Sequence, residues 1–470
     1  MDATATDLAF AGLARQAELV RSREVSPREL VDLYLDRIER IDPKLGAFRV
    51  VLGERARAEA EQAEARVGDG EEPPLLGVPV AVKDNVDLAG EFTGYGSAGH
   101  GGPRTGDSEQ VRRLRAAGAI VIGKTNLPEL AIFPFTVSEA NGKTRNPWNP
   151  DRSAGGSSGG SGSAVAAGLV PAASASDGGG SIRIPASCCG LVGLKPQRGR
   201  VSLMPDREHW NGLSVAGSVT RTVIDTALWL DAVAGPAEGD ADRAEPPARP
   251  FAEAARSAPG KLRIAVSTRP PVPGVKVADS VKAAVAETAG VLRSLGHDVV
   301  ERDPDRPELR TCFIPRWLRG IADDAAAMDD PERLERRTRR IAGLGRRIGD
   351  RGLRRARGRE ARIAQRINAI FDHCDVLLTP TITHPPEDVD RYDGRGFVPA
   401  IFTAANTTPF TIPWNTTGQP AMSVPAPSLD DGVPIGVQLV GRPSDEATLI
   451  SLGAQLEAEV GWADRRPPVD

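Results

Sequence analysis

Hydrophobic positions along this chain follow two periods, and each period marks a different kind of element. Ser26-Pro27-Arg28-Glu29 is a capping box with proline at the first helical position, and Leu30, Tyr34, Ile38 and Ile41 then form one apolar stripe. This spacing predicts an N-terminal helix whose stripe packs on the protein body or on a partner subunit. Leu75-Leu76-Gly77-Val78-Pro79-Val80-Ala81-Val82 is instead an unbroken apolar run of strand length. A buried strand is expected there, ending at Lys83-Asp84-Asn85. Downstream, residues 261–266 read as a strand, 280–295 as a helix and 298–300 as a second strand, a β-α-β pattern. The Pro-, Ala- and acid-rich stretch 235–250 before them reads as a surface linker.

The segment 155–196 breaks both periods. Its sequence, GGSSGGSGSAVAAGLVPAASASDGGGSIRIPASCCGLVGLKP, holds two glycine-flanked serines, Ser157 and Ser181. Gly/Ser-rich runs are commonly flexible linkers, but this one continues into small apolar residues that must be buried, at 164–170, 182–185 and 190–194. A loop such as Asp177-Gly178-Gly179-Gly180-Ser181 can turn several backbone amides toward one oxygen, which is how an oxyanion is stabilised. Gly155-x-Ser157-x-Gly159 and Gly156-x-Ser158-x-Gly160 also match the nucleophile-elbow pattern. An elbow serine must follow a strand directly, however, and Asn146-Pro147-Trp148-Asn149-Pro150-Asp151-Arg152-Ser153, which reads as a turn-rich segment with two prolines, precedes these. A phosphate-binding loop is disfavoured as well, since Gly-Lys-Ser/Thr is absent from the block and GxGxxG is not completed around Gly160.

A serine nucleophile needs a base. None of the five histidines, at 100, 209, 297, 373 and 384, lies in the serine block, although the fold could bring one in. Lys83, at the end of a buried strand, is the better-placed candidate: desolvation lowers a lysine toward the neutral form that can accept a proton. The alternative is a lysine that snorkels to water beside Asp84 or Asp87.

Together these residues resemble the amidase signature family. Its triad maps onto Lys83 as base, Ser157 as a serine held by a non-proline cis peptide, and Ser181 as nucleophile; the two serines stand 24 positions apart. The likeness extends through Asn146-Pro147-Trp148-Asn149, Ser181-Ile182-Arg183-Ile184-Pro185-Ala186, Gly193-Leu194-Lys195-Pro196 and Thr379-Pro380-Thr381. It continues through Gly418-Gln419-Pro420-Ala421 and from Gly436-Val437-Gln438 to Arg442-Pro443. It implies one large α/β domain over 1–470, with a central mixed sheet covered by helices on both faces. Within it, N-terminal helices would occupy 1–70, a catalytic core 71–234, a linker 235–260, an α/β and Arg-rich part 261–378, and the rest of the core 379–470. It further implies amide hydrolysis through a Ser181 acyl-enzyme, with the amides of Gly178, Gly179, Gly180 and Ser181 as oxyanion hole and no metal or organic cofactor. Asp177, Arg183 and Ser158 would support the loops, as would Ser161, and the partner is a small-molecule amide. The version Asp177-Gly178-Gly179-Gly180-Ser181 with Asn415 to Ser423 resembles the branch of 6-aminohexanoate-cyclic-dimer hydrolases and aryl acylamidases. The amidotransferase A subunit, which works in a complex, usually carries Thr and Gln where this chain has Gly178 and Ile184. Trp210, residues 312–317 and Trp414 are expected to shape the acyl pocket.

Composition bears on location and partners. Four cysteines in 470 residues do not make a disulfide framework, and Cys188 and Cys189 read as small buried residues. The first thirty residues lack a signal-peptide apolar core and no run is long enough to span a membrane, so a cytoplasmic enzyme is expected. Net charge is −4, yet residues 331–370 hold 14 arginines against 4 acidic residues. Nucleic-acid binding is disfavoured, because the segment has no aromatic residue for stacking and shows helical spacing at Ile363, Ile367 and Ile370. A solvated helical arm is expected, bordering the substrate entrance or a homodimer contact.

Overall fold

The computed structural model describes residues 3–469. Its organising element is a mixed sheet of eleven strands. In spatial order these are Phe48–Val51, Ile120–Thr125, Pro79–Lys83, Ala172–Asp177, Val215–Thr220, Val192–Lys195, Ala421–Asp430, Val433–Val440, Val376–Pro380, Arg263–Val266 and Asp298–Glu301. Pro79–Lys83 runs parallel to both neighbours, as does Arg263–Val266 near the other edge. The strands between these two regions pair antiparallel.

Side chains alternate across a strand, and here the alternation feeds two separate cores. Val80 and Val82 face a cluster completed by the helices Val223–Val233, Asp279–Ser294 and Glu446–Val460. Ala81, between them, faces the opposite cluster, with Pro27–Leu45, Gly159–Ala166 and Arg183–Cys189. Helices therefore cover both faces of the sheet, the expected α/β architecture. Every residue of Gly159–Ala166 is buried, which its run of Gly, Ser and Ala permits by letting neighbouring backbones come close.

The predicted N-terminal helix is Pro27–Leu45, with both halves of its capping box formed: Glu29 N–H donates to Ser26 Oγ (3.1 Å) and Ser26 N–H to Glu29 Oε2 (2.7 Å). Leu30, Tyr34, Ile38 and Ile41 are all buried against the body of this chain. The β-α-β reading holds with small shifts, as Arg263–Val266, Asp279–Ser294 and Asp298–Glu301. Inside the expected linker 235–260 lies a short helix, Phe251–Ala255, whose Phe251 joins the main core, so this stretch is anchored rather than loose.

The Arg-rich segment folds as Arg336–Gly345, Asp350–Arg357 and Glu360–Asn368, the first two packed on the helix Arg310–Ala327. Ile363, Ile367 and Ile370 turn inward as their spacing predicts. Arg357 pairs with Glu208 and Arg366 with Asp305, so part of the positive charge is neutralised across the surface. Among the described residues no helix is long and apolar enough to cross a membrane.

Candidate active site

Lys83 is the last residue of Pro79–Lys83 and its side chain is fully buried. Its Nζ donates to Ser157 Oγ at 2.7 Å and to Ser176 Oγ at 2.9 Å. The snorkelling alternative does not hold: Asp84 is taken by Lys124 (3.0 Å) and Arg49 (2.6 Å), and Asp87 by Arg104 (3.1 Å). Burial lowers the Lys83 amine to about 7, with Asp177 opposing the shift. A large fraction of the amine is thus neutral near pH 7.

Ser157 follows a cis peptide bond with Gly156, as the family resemblance implied. A Cβ on Gly156 would come within 2.6 Å of the Phe135 backbone, so only glycine fits before the serine. Ser158 and Ser161 fasten this turn to the sheet. Ser158 N–H donates to the Ser181 carbonyl (3.3 Å), and Ser161 Oγ donates to the Ser174 carbonyl (2.8 Å).

Ser181 ends the loop that leaves Ala172–Asp177. Asp177 and Arg183, both without solvent exposure, hold the loop from inside: Arg183 Nε and Nη2 donate to the two Asp177 oxygens at 2.9 Å each. Arg183 also donates to the Thr411 carbonyl (3.0 Å), Gln438 Oε1 (2.7 Å) and Asn415 Oδ1 (2.8 Å), while Asn415 returns a bond to Asp177. Burial alone would raise the Asp177 carboxyl, but Arg183 outweighs it and holds the group far below the usual carboxylate range. One expectation changes here. The Gly180 amide donates to Asp177 Oδ1 at 2.7 Å, so it is engaged inside the loop, unlike the role the resemblance gave it.

The structure brings Lys83 and Ser157 into direct contact. Among the described residues no hydrogen bond joins the hydroxyls of Ser157 and Ser181; their turns are linked through the Ser158 amide. Among the described residues no hydrogen bond joins a histidine to Ser157 or Ser181. His209 is bonded to Ser214 and Asp324, His297 to Leu262 and Gln455, and His384 to Pro385 and Thr407. Burial pushes the Cys188 thiol up to about 12, in keeping with a packing role.

Sequence reasoning missed four of these groups. Ser176 was signalled by the Ala-Ser-Ala-Ser alternation of 173–176, which places Ser174 and Ser176 on one face of a buried strand; Ser174 Oγ accepts the Lys83 N–H (2.8 Å). Thr411, which donates to the Gly179 carbonyl (2.6 Å), Asn415 and Gln438 arrive from more than 200 residues away; the stretches holding Asn415 and Gln438 carried the family resemblance, but nothing in them marks these residues as supports of this loop.

Ser181 and Gly179 open into a cavity of about 200 Å³ lined by Phe133, Trp210, Phe313, Ile314, Trp317 and Ile412, with Arg310 its only charged lining residue among the described residues. Trp210 and part of 312–317 therefore lie where expected. Cys312 and Trp414 do not, because of helical phase. Phe313 and Trp317 share one face of Arg310–Ala327 while Cys312 turns away, and Trp414 lies two residues, about 200°, from the lining Ile412.

Comparison with known proteins agrees with this geometry. The family model Amidase matches residues 29–450. A Mycobacterium tuberculosis protein named "Putative amidase AmiB2" is 53% identical over 469 residues, covering 99% of each chain. The structure of a 6-aminohexanoate cyclic dimer hydrolase complexed with substrate superposes with a TM-score of 0.91 at 33% identity, covering 98% of this chain and 99% of that one. A bacterial aryl acylamidase gives 0.85 at 27% identity, with 95% of each chain covered. On this evidence the chain belongs to the amidase family and is an amidase, an enzyme that hydrolyses amide carbon–nitrogen bonds.

Proposed function

We propose that Ser181 is the nucleophile, that Ser157 relays protons and that Lys83 is the base. The observation that carries this reading is the 2.7 Å bond between Ser157 Oγ and a fully buried Lys83 amine held near neutrality. Neutral Lys83 accepts the Ser157 proton while Ser157 takes the proton of Ser181, whose oxygen attacks the amide carbonyl. In this reading the Ser181 hydroxyl turns toward Ser157 when substrate is bound and closes that second link. The amides of Gly178, Gly179 and Ser181 receive the oxyanion, each good donor worth about 3 to 4 kcal/mol. Protons then return through Ser157 to the leaving nitrogen. Water hydrolyses the acyl-enzyme and regenerates Ser181.

The substrate is a neutral amide with an apolar acyl part. No carboxylate lines the cavity at Ser181 to receive an ammonium group, and Arg310, at its edge, is paired with Glu308. Aryl and alkyl amides meet this condition, and so does an uncharged cyclic dimer of 6-aminohexanoate. Linear 6-aminohexanoate oligomers, which carry a terminal ammonium, do not.

The test is a series of amides with aryl, alkyl, cyclic and ammonium-terminated acyl groups, turned over by the wild type and by Ser181→Ala. Neutral apolar members should react fastest, and Ser181→Ala should lose at least about 10⁴-fold in kcat with its fold intact. Wild-type turnover in that variant would end the assignment. A preference for the ammonium-terminated members would overturn the substrate class alone.

A further inference from the structure

A second cavity, of about 180 Å³, lies beside the apolar one; it is the more polar of the two, its mixed lining including Asn85, Ser176, His209 and Asp324. Two chain segments form the wall between them, and each sends consecutive residues to opposite sides. Leu130 faces the polar cavity and Ala131 the apolar one; His209 faces the polar cavity and Trp210 the apolar one. Both segments turn through left-handed backbone, with φ of 49° and 56° at Leu130 and Ala131 and of 48° and 57° at Trp210 and Asn211. Tryptophan rarely adopts that conformation, so its surroundings must hold it there.

The holding contacts come from the helix Arg310–Ala327. Trp210 Nε1–H donates to Asp324 Oδ2 at 2.7 Å, and Asn211 exchanges two bonds with Arg316, at 3.0 and 3.1 Å. His209 lies between Asp324 (3.1 Å) and Ser214 Oγ (2.9 Å), its ring stacked on Trp210 at 5.3 Å. The indole is gripped between two glycines. A Cβ on Gly178 would sit 2.5 Å from its ring, and one on Gly320 2.6 Å from it. Gly178 belongs to the loop whose amides face the reaction.

We infer that Asp324 and His209 are positioning residues: by fixing Trp210 against Gly178 they set the loop that receives the oxyanion. This inference rests on the acyl-enzyme reading above. Asp324 touches neither Ser181 nor its cavity; its side-chain bonds run to Trp210 and to His209, whose ring is stacked on that indole. The loop would lose register when the indole is released. A misplacement of that kind lowers turnover by about 10²-fold without abolishing binding.

The experiment compares Asp324→Ala, Asp324→Asn and Trp210→Phe on one neutral aryl amide, with kcat, KM and thermal midpoint measured for each and Ser181→Ala run alongside. Asp324→Ala should lower kcat at least tenfold while remaining folded at the assay temperature, and Asp324→Asn, whose amide oxygen still accepts the indole N–H, should recover most of that loss. Trp210→Phe keeps a ring between the glycines but no N–H, and should fall with Asp324→Ala. It decides the question if the alanine variant does not fold. An unchanged kcat, a change confined to KM, or an equal loss in Asp324→Asn would overturn the inference. An active Ser181→Ala would instead overturn the acyl-enzyme reading on which it rests.

Discussion

Replacing Lys83 by methionine should abolish activity and stabilise the protein at the same time. Burial moves the amine from 10.5 to about 7, and at about 1.4 kcal/mol per unit the folded state carries a cost of about 5 kcal/mol below pH 7, which shrinks as the pH rises toward 10.5. The sign follows from the lowered folded value. Between pH 7 and 10.5 the unfolded chain binds a proton that the folded one does not, so wild-type stability rises with pH; below 7 the full cost is present. Methionine removes that cost together with the bonds to Ser157 and Ser176, each worth about 1 kcal/mol. The variant should therefore be more stable than wild type by about 3 kcal/mol at pH 6, and about equal to it at pH 9, where about 2 kcal/mol of the cost remains. Urea denaturation of both proteins at the two pH values reads this difference directly. A variant less stable at pH 6, or a difference that does not change with pH, would refute the picture of a desolvated, neutral base.

Further expectations follow from the same geometry. Activity needs neutral Lys83, so kcat/KM should fall about tenfold per pH unit below about 7 and level off above it; a profile flat down to pH 5 would contradict the role of the amine. Arg183→Ala strands the fully buried Asp177 and should cost about 3 to 5 kcal/mol by chemical denaturation, whereas a loss under about 1 kcal/mol would show that the pair does not hold the loop. Ile314→Asp places a carboxylate at the rim of the apolar cavity and should shift kcat/KM toward ammonium-terminated acyl groups by about tenfold, an unchanged ratio showing that the acyl part does not reach that rim.

What the sequence revealed, and what it hid, follows from where the interactions originate. The buried setting of Lys83 and the glycine-rich 177–183 loop were legible in neighbouring residues, whereas Ser157 was singled out only by the resemblance to the amidase signature family. The unbroken apolar run at 75–82 likewise announced a buried strand. Thr411, Asn415 and Gln438 were not legible as loop supports, since their partners Gly179 and Arg183 are joined to them only by the folded chain. Helical phase explains the misplaced pocket residues. A span such as 312–317 names a helix segment, and only the packing of that helix decides that Phe313 and Trp317, rather than Cys312 and Arg316, meet the cavity. The engaged Gly180 amide was hidden for a related reason: an amide's availability depends on a carboxylate that folds back onto its own loop.

The central claim is that Ser181 carries the acyl group. Rapid acid quenching of the enzyme during turnover of an activated aryl ester, followed by peptide mapping by mass spectrometry, tests it most directly. The acyl mass should appear on the peptide that contains Ser181 and be lost in Ser181→Ala. The same mass on Ser157, or sustained turnover with no acylated peptide under conditions where deacylation is slow, would contradict it.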